Sequence, residues 1–375
     1  MPCRFHKIDG RLCEGCQDYD QVKTRILIVK LAAVGDVLRT TSILPPLKQT
    51  YQGSHVTWVT KQNASPLLHG NPHLDRILCI EGSDLEFLRN ETFDLGICLD
   101  SDPLSATIAT IADCGTRLGF VAGNNGAVTP VNDAARDWWL MGVNDDLKKN
   151  NRKTYQQIMY EICDLPLPTH KPQLVLQESD QRFGEDFILR HRIKPDSRRI
   201  GINTGGGGRW QYKKWTFDGY TRFIQLLKQR DPDVEMLLFG GPEEVDLNAR
   251  ILATVGDHVI DAGCDNSLLE FSSLVNTVDL LLTSDSLAMH MGVALGKTTV
   301  VLVGPTSPWE LDVFDNGEIV HSDIECLVCY LSRCDKIVTC MNTLSPEYVV
   351  AKVEHHLSRI RPHGSRTPAL VERLK

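Results

Sequence analysis

Short apolar runs alternate with amphipathic stretches twice along this chain, and that rhythm restricts the fold more than any other feature. In the first half the runs are RILIVKL (25–31), HVTWVT (55–60) and DLGICLD (94–100). In the second they are RRIGINTG (198–205), VEMLLFGG (234–241), VIDAG (259–263), VDLLLTSD (278–285) and TTVVLVGP (298–305). Between them lie helical patterns such as VLRTTSILPPLKQTY and FDGYTRFIQLLKQR (217–230). Strands that alternate with helices form parallel sheets covered on both faces. Two such units predict an α/β protein of two doubly wound, Rossmann-like domains facing one cleft. The length agrees, because 375 residues at roughly 150 per domain leave room for two domains and an appendage.

Punctuation along the chain divides it further. Pro166, Pro168 and Pro172 break the stretch 165–180 and mark the boundary between the halves. The expected organisation is a Cys/His-rich segment at 1–21, one domain at 22–172, a second at 173–345, and a helix with a tail at 346–375. Pro45 and Pro46 should interrupt the first helix. The run DDLKKNNRKTYQQIMYEICDL (145–165) reads as a single helix, and SPEYVVAKVEHHLSRI opens on a helix-start pattern. Residues 361–375 carry few structural signals and read as a loose tail.

Charge and hydropathy exclude some classes of function. A formal net charge of −8 argues against a broad nucleic-acid surface. No apolar run approaches the roughly 20 residues that span a bilayer. The opening MPCRFHKIDGRLCEGC lacks the apolar core of a signal peptide. A cytoplasmic protein is the expectation. Of the twelve cysteines, Cys79, Cys98, Cys114, Cys163 and Cys264 are scattered among apolar residues and read as core. The other seven fall in two clusters, and clustered cysteines in a cytosolic chain suggest metal more than disulfides.

In an open parallel sheet, ligands bind beyond the carboxyl ends of the strands, so the strand-to-helix junctions carry the chemistry. The first is Ala32-Ala33-Val34-Gly35-Asp36, where Asp36 is either a helix cap or a reactive carboxylate. The second is INTGGGGRWQYKKW (202–215). Gly205 to Gly208 follow a strand and can wrap N–H groups around phosphates, with Lys213 and Lys214 close behind to neutralise charge. The bland reading is a flexible turn with exposed lysines. The third is LLFGGPEEVD (237–246), where Glu243 or Glu244 either binds ribose hydroxyls or complements a helix dipole. The fourth is LLLTSDSLAMHMGVALGK (280–297). A helix beginning near Ser284 or Asp285 leaves free N–H groups near Ser286, Leu287 and Ala288 for an anion, and His290 lies one turn along. Neither a dinucleotide GxGxxG fingerprint nor a Walker A loop is present. The set suits a nucleotide diphospho-sugar and a transferase.

From about residue 25 to residue 350 the motifs resemble glycosyltransferase family 9, the ADP-heptose:lipopolysaccharide heptosyltransferases. KLAAVGDVLRTTSILPPLK resembles the family's opening strand, loop and helix. KKWTFDGY resembles its Lys-x-Trp-Pro block, with Thr216 in place of the proline. GGPEE and TSDSLAMHMGVALGKTTVVLVGPTSP resemble its donor-site segments, with Leu287-Ala288 where the family often has Gly-Leu or Gly-Pro. CLVCYLSRCDKIVTCMNTLSPEYV resembles its cysteine-bearing C-terminal block. The resemblance implies the GT-B fold, an acceptor domain at 22–172 and a donor domain at 173–345. By position it implies Asp36 as general base, Lys213 at the donor phosphates, and Glu244, with Glu243 beside it, at the ribose. It implies Thr204, Gly205, Gly206, Ser284, Asp285, Ser286, Leu287, Ala288 and His290 around the donor. The loop after Gly263 should approach the nucleobase, yet it offers Asn266 where an apolar contact is expected.

The implied reaction is transfer of a heptose or related sugar from an ADP-sugar to an acceptor hydroxyl, inverting, with no catalytic cofactor. The acceptor would be a glycan, a lipopolysaccharide core or a protein, with possible peripheral association with a membrane. Alternatives are a GT-B nucleotide-sugar epimerase or hydrolase, and a non-catalytic nucleotide-sugar-binding protein. Cys3, His6, Cys13 and Cys16 have spacing suited to tetrahedral zinc. Cys326, Cys329, Cys334 and Cys340 suit zinc or iron through thiolates. Some related protein-modifying heptosyltransferases carry iron in such a finger, and either metal here would be structural.

Overall fold

The structure, a computed structural model, describes residues 3–14, 16–17, 21–167, 170–207 and 211–360. Pro168, Gly208 and the tail 361–375 lie outside these. Two six-stranded sheets organise the described residues. The first contains β1 (Thr24–Val29), β2 (Ser54–Thr60), β3 (Arg76–Cys79), β4 (Thr92–Cys98), β5 (Asp113–Ala122) and β6 (Val128–Pro130), in the order β3-β2-β1-β4-β5-β6. Its strands are parallel apart from the antiparallel edge pair β5–β6. The second contains β7 (Arg199–Asn203), β8 (Glu235–Phe239), β9 (Ile260–Asp261), β10 (Leu280–Ser284), β11 (Thr298–Val303) and β12 (Gly317–His321), in the order β12-β11-β10-β7-β8-β9, parallel throughout. In each sheet the order reverses beside a central strand, β1 or β7, which creates a crevice at its carboxyl end. This is the expected two-domain, doubly wound architecture.

The central strands are buried on both faces, which is why their sequences are apolar at nearly every position. Ile26, Leu27, Ile28 and Val29 of β1 are fully buried, as are Leu280, Leu281 and Leu282 of β10. The prolines act as expected. The helix Val34–Thr40 gives way to a tight turn at Thr41–Ile43, and a new helix, Leu44–Thr50, carries Pro45 and Pro46 in its first turn. There the missing N–H costs no helical hydrogen bond.

One helix expectation fails. Residues 145–165 form two helices, Asp145–Asn150 and Tyr155–Ile162. Thr154 opens the second by a reciprocal cap: its hydroxyl accepts from the Gln157 N–H at 3.2 Å and its own N–H donates to Gln157 Oε1 at 2.8 Å. A cap that strong stops the preceding helix from running through. The helix Pro346–Leu357, which the sequence sets apart, buries Val349, Val350, Val353 and Leu357 in the core of the second sheet.

The halves are joined by more than a linker. Gln173 N–H donates to Thr41 Oγ1 at 2.7 Å, and Asn71 Nδ2 donates to Gln173 Oε1 at 3.3 Å. The helix Val34–Thr40 packs on the helix Leu287–Ala294 of the other sheet. Its Val37 enters the first core, while its neighbour Leu38 enters a cluster with Leu274, Ala288 and Met291 of the second half. One short helix thereby serves two cores.

Candidate active site

The crevice of the second sheet opens into a cavity of about 410 Å³. It is lined by the glycine loop (Gly205, Gly206, Gly207), the β8 turn (Gly241, Glu243, Glu244) and the start of the helix Leu287–Ala294 (Ser286, Leu287, Ala288). A larger cavity, about 660 Å³, lies between β12 and the Thr343–Ser345 turn and shares no residue with it.

Polar side chains beneath the cavity hold its shape. Asn203, the last residue of β7, donates from Nδ2 to Gly205 O at 3.0 Å, Thr283 Oγ1 at 3.0 Å and Ser286 Oγ at 3.3 Å. Ser284 Oγ donates to the same Gly205 carbonyl at 3.1 Å. Glycine in the loop reflects crowding as well as freedom. A β-carbon on Gly206 would lie 3.1 Å from Lys214 Cγ, and Gly207 has φ +74°. Asn203 is the residue the sequence reading missed. Its signal was a lone amide closing an otherwise apolar strand.

The helix beyond β10 starts at Leu287, two or three residues later than expected, because β10 runs on to Ser284. Ser286 stands at the cap position, but its hydroxyl engages Thr283 Oγ1 at 3.1 Å and makes no capping bond. The positive end of the helix dipole thus faces the cavity without a side-chain cap. Asp285 accepts from Lys213 Nζ at 2.6 Å and Thr306 Oγ1 at 2.8 Å. Burial raises its proton affinity, and the Lys213 and Thr306 contacts outweigh it, holding the carboxyl below its ordinary range. Lys213 is therefore engaged by a carboxylate at the site expected for phosphates.

The two glutamates part company. Glu244 is buried, accepts from the Gly241 N–H at 2.9 Å and forms an ion pair with Lys214. Glu243 is exposed at the rim. Thr204 is fully buried, and its hydroxyl donates to Asn248 Oδ1 at 2.6 Å, so it braces the loop from behind. Asn266 turns to its own backbone, donating to Ala262 O at 2.9 Å. Leu268 and Phe271 on the next helix give the cavity an apolar part of its lining. Thr216, which replaces the family proline, caps the helix Phe217–Arg230 by accepting from the Gly219 N–H at 2.9 Å.

Across the cleft stands the first sheet's loop. The carboxylate of Asp100, at the end of β4, pairs with buried Lys30 and accepts from the Leu31 N–H at 2.5 Å and the Ala32 N–H at 3.3 Å. That pair fixes the turn leading to Asp36. Asp36 accepts from the Ala33 N–H at 3.3 Å and forms an ion pair with Arg39 at 2.8 Å, and its side chain keeps 32% of its surface exposed. Burial raises its proton affinity. The charges of Arg39, Lys30 and His290 and the Ala33 N–H outweigh it, so the carboxyl titrates at about 2. The ring of His290 packs on the backbone of Gly35, where a β-carbon would lie 3.0 Å from its Cδ2. Burial and then the neighbouring Arg39 hold that imidazole down to about 4, against Asp285 and Asp36. It is neutral at ordinary pH. Asp36, His290, Asp285 and Lys213 therefore form one electrostatic group spanning both domains.

A metal at the cysteine clusters is not shown. Among the described residues no three His, Cys, Asp or Glu side chains gather as ligands. His6 Nδ1 lies 3.0 Å from Arg11 O, and Cys3 and Cys13 are exposed. Burial, and then the other three thiols of its cluster, push Cys340 up to about 11. Cys326, Cys329 and Cys334 are thus its neighbours.

Comparison with known proteins places this geometry. Residues 85–336 match the family model of Glycosyltransferase family 9 (heptosyltransferase). The lipopolysaccharide core heptosyltransferase OpsX of Haemophilus influenzae is 22% identical over 324 residues, covering 82% of this chain and 86% of that protein. The crystal structure of a family 9 glycosyl transferase from Veillonella parvula superposes with a TM-score of 0.74 at 18% identity, covering 91% of this chain and 99% of that one. Escherichia coli heptosyltransferase WaaC, solved with ADP-2-deoxy-2-fluoro heptose, superposes with a TM-score of 0.59 at 16% identity, covering 88% and 99%.

Proposed function

The chain belongs to glycosyltransferase family 9, the heptosyltransferases, and on that premise we propose that it moves a heptose from an ADP-linked donor to a hydroxyl of a lipopolysaccharide core, inverting the anomeric carbon, with Asp36 as base. The observation that carries this reading is one of proximity. The helix Val34–Thr40, which carries Asp36, packs on the helix Leu287–Ala294, and a β-carbon on Gly35 would lie 3.6 Å from the Cα of Leu287, a residue that lines the cavity of about 410 Å³ in the second sheet. The ADP-fluoroheptose held by the Escherichia coli relative supports an ADP-sugar as donor. The name of the Haemophilus relative supports a lipopolysaccharide core as acceptor.

The acceptor hydroxyl gives its proton to Asp36 as its oxygen bonds to the anomeric carbon. The bond to the diphosphate oxygen breaks, and the electron pair leaves with the diphosphate. Lys213 and the uncapped start of the helix Leu287–Ala294 stabilise that charge. Lys213 exchanges Asp285 for the diphosphate as the donor binds, and Glu244 takes the ribose hydroxyls. The incoming negative charge raises the proton affinity of Asp36 when a proton must be accepted. Residues 22–172 would bear the acceptor and 173–345 the donor. A lipid-anchored acceptor would draw the enzyme to a membrane surface, and no helix of the described residues is long and apolar enough to cross one. No step is assigned to a metal, so excess EDTA should leave turnover unchanged.

The test is a donor screen by native mass spectrometry over ADP-, UDP- and GDP-sugars, followed by an acceptor screen with the donor that binds. Preference for a UDP- or GDP-sugar would overturn the donor assignment. Asp36→Asn should lower transfer by at least about 10²-fold with donor affinity intact. Wild-type turnover in that variant would remove Asp36 from the mechanism.

A further inference from the structure

We propose that Arg39 is the positioning residue of this site: stacked on the Tyr155 ring, it holds the Asp36 carboxylate ionised and turned to the cleft. This inference rests on the reading of Asp36 as base. Arg39 lies one helical turn beyond Asp36, and its NH2 is 2.8 Å from Asp36 Oδ1. Its guanidinium carbon lies over the Tyr155 ring, 3.4 Å from the centroid, a close cation–π contact that restricts the guanidinium. Tyr155 is itself held. Thr40 Oγ1 donates to the Asp36 carbonyl at 2.6 Å, so its lone pairs accept from the Tyr155 hydroxyl at 2.9 Å. Ring, guanidinium, carboxylate and helix backbone close into one loop of contacts.

This pair differs from an ordinary surface ion pair, which is worth little. The Arg39 side chain is 12% exposed, and its Nε–H is buried without a hydrogen-bond partner among the described residues. A buried arginine that leaves a donor unused for the sake of a stack is placed by the stack. The charged groups facing Asp36 come from four elements. Arg39 shares its helix, Lys30 follows β1, Tyr155 comes from the helix Tyr155–Ile162, and His290 comes from the helix Leu287–Ala294. Arg39 in turn faces Asp285 and Glu310 of the second domain. Lys30 is committed to Asp100 and the Ala32 carbonyl, and His290 is neutral, so Arg39 is the cation ion-paired with Asp36. The low proton affinity of Asp36 agrees with that assignment.

The experiment titrates the Asp36 carboxyl by carbon NMR in the full chain, assigned with Asp36→Asn, alongside pH profiles of kcat/KM. Arg39→Gln should raise the midpoint of Asp36, and the acid limb of the profile, by about one pH unit or more. Its donor KM should stay within about threefold of wild type. Arg39→Lys, which keeps the charge but not the planar fork, should restore part of the shift. Tyr155→Leu, which removes the platform, should raise the midpoint less than Arg39→Gln and serves if that variant does not fold. An unchanged midpoint in the folded variants overturns the proposal. So does an unmoved acid limb with a donor KM raised about tenfold, which would make Arg39 a donor ligand. If Asp36→Asn turns over normally, the base assignment fails, and the NMR midpoints still decide whether Arg39 sets the charge of Asp36.

Discussion

At the scale of single residues, the charged side chains of the cleft shift one another's protonation, holding Asp36, Asp285 and His290 down and Arg39 and Lys30 up. His290 is the clearest case, because its imidazole is buried beside Arg39 and stays neutral down to about pH 4. Above about pH 6.5 a histidine is neutral in folded and unfolded chains alike. As pH falls from there towards 4, the unfolded chain binds a proton that the folded chain refuses, so stability is lost across that window. His290→Asn should escape this loss. Urea melts at about pH 7 and about pH 5 should show a smaller drop for the variant than for wild type, and equal drops would contradict the assignment. Asp285 restrains Lys213 by an ion pair of 2.6 Å. Asp285→Asn should free the lysine and tighten binding of ADP alone, read by calorimetry. Weaker binding would make Asp285 part of the anion site.

At the scale of elements, two junctions determine where Asp36 stands. The Lys30–Asp100 pair is almost fully buried and ties the Leu31 and Ala32 N–H groups to the end of β4. Asp100→Ala strands a buried ammonium and two loop donors, and should cost about 3–5 kcal/mol by denaturant melting. A loss under 1 kcal/mol, on the order of an exposed pair, would show that the loop has another support. The helix Val34–Thr40 meets the helix Leu287–Ala294 through Gly35, where a β-carbon would press against the His290 ring at 3.0 Å. Gly35→Val should destabilise by about 1–3 kcal/mol through overpacking and displace Asp36, lowering kcat more than it raises donor KM. An unperturbed kcat would mean that the helix contact does not set the base.

At the scale of the whole molecule, the two sheets share a core. Leu38 is fully buried among residues of the second half. Leu38→Ala should cost about 2–5 kcal/mol and split a single calorimetric transition into two, one for each domain. A single transition in the variant would show that coupling runs elsewhere. Much of this architecture was legible in the chain. The apolar runs of β1, β7, β8, β10 and β11 give the strands, and Gly35, Asp36, Lys213, Glu244 and Ser286 stand at the junctions where parallel sheets bind ligands. These signals are local, because strand burial and turn chemistry are written in neighbouring residues. The contacts between junctions were not legible: Lys213 on Asp285, Lys214 on Glu244, Arg39 on Tyr155, His290 on Gly35 and Asn203 under the glycine loop. Residues 116 positions apart, such as Arg39 and Tyr155, leave no periodic trace in a single sequence. The sequence by itself determined two doubly wound sheets and the ends at which chemistry gathers. Only the tertiary structure decided which charges oppose each other across the cleft, since ion pairing acts through space and depends on how the two sheets pack.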